Sequence, residues 1–189
     1  EGVAAGPVHL DVPFRKPLEP VEVPGDVTEE FLAESSLAVE GRVGPFVETT
    51  PGRRELRTPD VEALAAALDN AERTLIVSGP EGPPVPAADA VGRFVDATGA
   101  PVLADPLSGL RFGGQVTERA VCGGYDSYLD GAADWPDPDL VLRFGGSPTS
   151  KVLREYLQDI AARQVVVDPA GQWREATFTA TDLVAADPT

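Results

Sequence analysis

Two rhythms of apolar residues divide the chain. From Thr58 onward, short unbroken apolar runs alternate with stretches in which apolar residues recur every three or four positions. The runs are Thr74–Ser78, Pro101–Ala104, Asp139–Phe144 and Gln164–Val167, with Thr177–Val184 as a last one. Runs this short, rich in Val, Ile and Leu and bounded by Gly or Pro, read as strands covered on both faces. Thr58-Pro59-Asp60 opens a helix that continues through Val61, Leu64, Ala65 and Leu68. Ala87–Ala97 forms another, stopped by Gly99. Strands alternating with helices predict βαβ units, a parallel sheet and right-handed crossovers. The expected fold is α/β: a Rossmann-like open parallel sheet with helices on both faces.

The most informative stretch is Asp139–Leu157, DLVLRFGGSPTSKVLREYL, a strand, a glycine turn and a helix start in succession. Gly145-Gly146 lets the backbone turn sharply. Ser147 is the expected N-cap, with Pro148 at the first helical position. Val152, Leu153, Tyr156, Leu157 and Ile160 then share one face, so this helix packs back on the sheet. Lys151 falls in its first turn, where the helix dipole disfavours a cation by about 0.3–1 kcal/mol. Either the lysine is simply solvated, or an anion binds at this helix start and the ammonium helps to hold it. Strand ends of open α/β sheets are also where ligands collect. GGSPTSK lacks the glycine before the lysine of a phosphate-binding P-loop, so no nucleoside triphosphate is expected.

The amino-terminal part is organised differently. Gly6–Leu18 alternates Val8, Leu10, Val12 and Phe14 with polar residues, which suits one strand of a preceding unit. Pro13 and Pro17 forbid a longer central strand. Residues 19–26 read as a proline-rich linker, Thr28–Val39 as a short helix capped by Thr28, and 41–57 as loop.

The loops between strands carry modest chemistry. SGPEGPP, after the first strand, lacks the G-x-G-x-x-G order of a dinucleotide site, although Asp105 follows the second strand as a ribose-binding acid would. DPLSGLRFGG, residues 105–114, places Ser108 and Arg111 where they could bind a carboxylate, since arginine offers a planar fork of donors; a surface loop with a solvated arginine is the plain alternative. Tyr125–Tyr128 and Trp135-Pro136 read as packing and turn residues.

Charge narrows the partners. Acidic residues number 31 against 15 basic ones, for a formal charge of −16, and Lys16 and Lys151 are the only lysines. Such a surface repels nucleic acid and anionic membranes, and it is the composition of proteins from salt-saturated cytoplasm, where ionic strength screens self-repulsion. A halophilic source is expected, with an ordinary acidic protein as the plain alternative. Cys122 and His9 each stand alone, which excludes a disulfide framework, a cysteine metal site and a Ser-His-Asp or Cys-His dyad. No apolar run approaches a membrane span, and the first residues show no basic-then-apolar signal. A soluble, cytoplasmic protein is expected. The chain opens mid-pattern on Glu1, as a piece of something longer would.

Four stretches together resemble one family, the thiamine-diphosphate-dependent synthases of menaquinone biosynthesis known as MenD. GPVHLDVPFRKPLEP at 6–20 is similar to the family's junction between its pyrimidine-binding and central domains. PVLADPLSGLR at 101–111 and LRFGGSPTSKVLREYL at 142–157 resemble two central-domain segments, and VVVDPAGQWREATFTAT at 165–181 resembles the region that closes that domain. A generic thiamine-enzyme central domain would share the strand pattern but not these loops.

The resemblance implies a division into the tail of the pyrimidine-binding domain (1–18), a linker and short helical segment (19–57) and the central Rossmann-like domain (58–187). It implies that the whole enzyme, a transferase, decarboxylates 2-oxoglutarate on thiamine diphosphate and adds the succinyl-semialdehyde unit to isochorismate. Mg²⁺ or Mn²⁺ would hold the diphosphate, at sites between the first and third domains of paired subunits in a homodimer or homotetramer. A GDG-type diphosphate motif and the cofactor-activating glutamate are missing here, so this chain alone is expected to bind no cofactor and to be inert. Family members often carry a lysine followed by arginine at the helix start, contacting substrate carboxylate. Lys151 matches the lysine; Val152 stands in place of the arginine, and Arg154 is the nearest candidate for the second contact. Ser108 and Arg111 are substrate-binding candidates by position. The alternatives are a stand-alone nucleotide- or acyl-CoA-binding module, which would need a glycine fingerprint or a basic groove, and a purely structural central domain of another thiamine-diphosphate enzyme.

Overall fold

The computed structural model describes residues 8–16, 18, 19, 21, 23–50, 52–80, 88–112 and 121–188. The chain separates into two compact units, Glu1–Gly52 and Arg53–Thr189.

In the first unit, the strand expected within Gly6–Leu18 is not formed over its described residues. Residues 8–16 have no regular structure, and Val8, Leu10, Val12 and Phe14 are exposed. An alternating pattern becomes a strand only where another strand accepts its hydrogen bonds, and the described residues of this unit contain none. The single helix expected over Thr28–Val39 is two, α1 (Glu29–Glu34) and α2 (Ser36–Glu40). Thr28 caps the first as expected, its hydroxyl accepting from the Phe31 amide at 3.2 Å. Ser35, at φ −131°, interrupts the helical path between them.

The second unit is a parallel sheet of six strands: β1 (Thr74–Ser78), β2 (Val102–Ala104), β3 (Val121–Cys122), β4 (Leu140–Phe144), β5 (Arg163–Val167) and β6 (Asp182–Val184). Their order is β3-β2-β1-β4-β5-β6, with every pairing parallel. This is the expected α/β, Rossmann-like sheet. Helix α3 (Thr58–Asn70) precedes β1, α4 (Ala88–Thr98) joins β1 to β2, and α5 (Lys151–Asp159) joins β4 to β5. Arg54 donates its amide to the Asp187 carboxylate at 2.8 Å and accepts from the Asp187 amide at 2.9 Å, which ties the start of this unit to its end.

Strand alternation divides the core in two. Leu75, Val77, Leu103 and Val141 point to one face, where Leu153, Leu157 and Ile160 around α5 and Tyr125 and Leu129 cover them. Ile76, Val102 and Ala104 point to the other face with Val95 of α4, while Leu140, Leu142 and Val165 meet Leu64 and Leu68 of α3. Both faces are buried, which is why the strands read as unbroken apolar runs.

Three details differ from the sequence reading. Strand β3 was not anticipated: two residues on a sheet edge leave too short a pattern to read. The last strand begins at Asp182 rather than Thr177, because Thr177 and Thr179 are drawn into side-chain hydrogen bonds described below. Helix α5 begins at Lys151, with Ser150 as its N-cap in place of Ser147. The Ser150 hydroxyl accepts from the Leu153 amide at 3.1 Å, whereas the Ser147 hydroxyl accepts from the Ala176 amide at 2.8 Å. Pro148 therefore lies before the helix, not in its first turn.

Candidate functional site at the switch point of the sheet

The chain leaves β1 toward β3, then returns to β4 and proceeds outward to β6. A sheet wound in this way opens a crevice beyond the carboxyl ends of its two central strands, here β1 and β4. Backbone closes much of that crevice. The Gly79 amide donates to the Phe144 carbonyl and the Gly146 amide to the Pro80 carbonyl, each at 2.8 Å. A side chain at Gly79 would start 1.9 Å from the Gly146 carbonyl oxygen, so only glycine fits. Gly145 turns the chain with a φ of 77°, a left-handed conformation that glycine adopts without a steric penalty.

The segment Gly145–Ser150 is anchored from several directions. The Ser147 amide donates to the Arg174 carbonyl at 2.9 Å. The Arg154 guanidinium reaches back to the carbonyls of Pro148 (2.8 Å) and Thr149 (2.9 Å), so this candidate for the second substrate contact is engaged by its own loop. The Ser150 hydroxyl also makes a short hydrogen bond to the Asp126 carboxylate. The start of α5 thus already has one carboxylate of the chain's own beside it, a feature that sequence spacing did not reveal. Asp105, one residue past β2, is fully buried, and its carboxylate accepts from the amide (2.8 Å) and hydroxyl (2.7 Å) of Thr149. This is not the geometry of a ribose-binding acid, because the oxygen is turned inward to the α5 loop.

Lys151 projects from this anchored start into solvent, with its side chain 78% exposed. Its ion-pair partner is Glu155, at 3.2 Å, one turn along the same helix. A lysine N-terminal to glutamate at this spacing opposes the helix dipole, and such an exposed pair contributes at most about 0.5 kcal/mol. The ammonium is held weakly enough to be surrendered to a carboxylate. Ser108 differs: it is fully buried, donates to the Asp105 carbonyl at 2.7 Å and accepts from the Leu110 amide at 3.2 Å. Its hydroxyl shapes the loop. Arg111 is half-buried beside Gly123, where an added Cβ would meet its Cγ and Nε at 2.9 Å. Of the three candidates, Lys151 is the one presented at the helix start.

Two buried features lie on the α5 face of the sheet. Among the described residues, the Tyr125 hydroxyl has no hydrogen-bond partner. Burial, and then the carboxylates of Asp105 and Asp126, push its pKa up to about 12, against the pull of Arg111. A buried hydroxyl without a partner is unfavourable by about 1–3 kcal/mol. Tyr125→Phe is therefore expected to leave stability unchanged or raise it by about 1 kcal/mol, read as the midpoint of urea unfolding in molar KCl. A loss of that size would show that the hydroxyl has a partner in solution.

The second is Arg143, on β4, whose guanidinium pairs with Glu175 at 2.9 Å and donates to Gln164 (3.1 Å) and Thr177 (3.2 Å). The Glu175 carboxylate in turn accepts from the Thr177 hydroxyl and amide and from the Thr179 amide. This cluster pins the segment that follows β5. The same segment carries Trp173 and Phe178, both exposed, in left-handed conformations of φ 51° and 57°. Such backbone is strained by about 1–3 kcal/mol per residue and persists only where neighbouring bonds enforce it. Asp168 does so on one side, its carboxylate accepting from the amides of Ala170 (3.1 Å) and Gln172 (3.0 Å); Glu175 does so on the other. None of this was legible in the sequence, where Arg143 is one polar residue inside an apolar run.

No protein-family model matches the chain. It is similar to 2-succinyl-5-enolpyruvyl-6-hydroxy-3-cyclohexene-1-carboxylate synthases along nearly all of its length. It is 58% identical to that of Halobacterium salinarum over 190 residues, covering 99% of this chain and 32% of the relative. To that of Haloquadratum walsbyi it is 55% identical, covering 98% and 30%. To that of a Roseiflexus species it is 39% identical, covering 98% and 31%. The chain belongs to the MenD family. It spans about a third of the length of the MenD relatives it matches. A solved structure described as that of a thiamin diphosphate-dependent enzyme, from Mycobacterium smegmatis, aligns with 77% of this chain and 28% of its own. The two are 18% identical, with a TM-score of 0.46.

Proposed function

We propose that this chain is the central domain of a MenD synthase and that it lends Lys151 to the binding of a substrate carboxylate. The observation that carries the reading is the match of nearly the whole chain to one third of each relative. In this reading residues 1–18 are the tail of the pyrimidine-binding domain, 19–57 a linker and 58–187 the central domain. The whole enzyme is a cytoplasmic transferase of halophilic origin, working as a homodimer or homotetramer. It decarboxylates 2-oxoglutarate on thiamine diphosphate and adds the succinyl-semialdehyde unit to isochorismate, the diphosphate being held by Mg²⁺ or Mn²⁺. The strong negative charge of −16 supports the halophilic assignment. Among the described residues, no helix is long and apolar enough to cross a membrane.

The described residues do not fit the cofactor. They contain no group of three His, Cys, Asp or Glu side chains able to hold a metal ion. The two fully buried aspartates have their carboxylates already engaged, Asp105 by the Leu107 amide and by Thr149, Asp168 by the amides of Ala170 and Gln172. In this reading cofactor chemistry belongs to the flanking catalytic domains, and this chain alone binds without turnover.

Isothermal titration in molar KCl tests the reading. Thiamine diphosphate with Mg²⁺ is expected to give no binding heat with the 189-residue chain, and isochorismate only weak binding. Tight binding of thiamine diphosphate would place the cofactor machinery here and overturn the assignment.

A further inference from the structure

We propose that Asp105 and Thr149 form a positioning pair that sets the start of α5 and thereby aims Lys151 at its carboxylate ligand; the inference rests on the assignment of Lys151 to substrate. Asp105 is held at both backbone ends, its amide donating to the Ser78 carbonyl at 2.9 Å and its carbonyl accepting from the Ser108 amide at 3.0 Å. One carboxylate oxygen accepts from the Leu107 amide at 2.9 Å and closes the local turn. The other is not needed for that turn. It is given to Thr149, 44 residues further on, by two hydrogen bonds of 2.8 and 2.7 Å. A fully buried carboxylate is a costly way to join two loops unless the joint must be stiff, because its desolvation is offset only by short, well-aligned donors.

What it joins to is specific. Thr149 lies two residues before Lys151, and Ser150 between them is the N-cap of α5. Two other anchors of this stretch, Asp126 on Ser150 and Arg154 on the Pro148 and Thr149 carbonyls, belong to a short 3₁₀ turn and to α5 itself. Asp105 alone among these three ties it to the end of a core strand. Thr149 is exposed, so its side chain contributes little to packing, and the hydroxyl has the carboxylate as its hydrogen-bond partner.

Steady-state kinetics of the full-length synthase in molar KCl, with isochorismate and 2-oxoglutarate each varied, tests the pair. Lys151→Ala identifies which substrate the lysine serves by raising its KM. Thr149→Val is expected to raise that same KM roughly five- to twentyfold with kcat within about twofold, and Thr149→Ser, which keeps the hydroxyl, to restore it. The double variant Thr149→Val/Lys151→Ala is expected to match Lys151→Ala alone, since a positioning residue has nothing left to position. A large effect of Lys151→Ala with none from Thr149→Val, or additive effects in the double variant, overturns the pair and leaves the lysine assignment standing. No effect of Lys151→Ala overturns both.

Discussion

Replacing Arg143 by methionine is expected to destabilise the unit from Arg53 onward by about 3–5 kcal/mol, the usual consequence of stranding a buried charge. The side chains of Arg143 and Glu175 are 4% and 1% exposed, and no solvent stands ready to take the place of either partner. Methionine fills the volume of the aliphatic stem but leaves the Glu175 carboxylate without its cation. Gln164 and Thr177 lose a donor at the same time. The double replacement Arg143→Met/Glu175→Gln removes the stranded charge and is expected to regain a large part of the loss. Urea unfolding of both variants in molar KCl measures the difference. A change below about 1 kcal/mol for the single variant would mean that water reaches the pair in solution.

The same cluster makes stability depend on pH on the acid side. Burial alone would raise the Glu175 pKa, but the Thr177 hydroxyl and amide, with Arg143, outweigh it and hold the carboxyl below its ordinary value. A depressed folded-state pKa means that the unfolded chain takes up the proton first. The contribution is fully present above the unfolded carboxylate range, about 4.3, and is lost as pH falls through the lower folded value. In Arg143→Met that loss is expected to begin at higher pH, because the nearest cation is gone.

Gly79→Ala is expected to be nearly as damaging, at about 3 kcal/mol, the upper end of what overpacking produces. The new methyl would lie 1.9 Å from the Gly146 carbonyl oxygen and 3.1 Å from its carbon. Both atoms are backbone, so no side chain can swing aside. The loop must move, breaking the Gly79–Phe144 and Gly146–Pro80 hydrogen bonds and shifting the path that leads to Ser150 and Lys151. Gly146→Ala is the control, because its nearest obstacle, the Pro80 carbonyl oxygen, is 3.4 Å away. Thermal unfolding of the two variants should separate by several degrees; equal midpoints would show that the two loops part easily.

Several elements are legible in the sequence. Thr74–Ser78 was bounded to the residue, because a strand buried on both faces is an unbroken apolar run with glycine after it. Lys151 stood out because a cation in a first helical turn needs a reason. The α5 cap was misplaced by three residues, since Ser147 and Ser150 are equally good caps in isolation and tertiary contacts chose between them: Ala176 took one hydroxyl, Leu153 and Asp126 the other. The Gly6–Leu18 strand was read from alternation alone, and alternation cannot supply the neighbour that a strand requires.

Ser108 shows the limit most clearly. Its place beside Arg111 in a loop after a strand suggested a ligand contact, and its hydroxyl is spent inside the loop. The sequence by itself determined the strand runs, the helical faces, the negative surface and the lysine at a helix start, because each is a property of near neighbours in the chain. Only the tertiary structure decided that Arg143 meets Glu175, that Asp105 holds Thr149 and that Gly79 admits no side chain. Those contacts join residues 32, 44 and 67 positions apart, and no local pattern records which distant group will arrive.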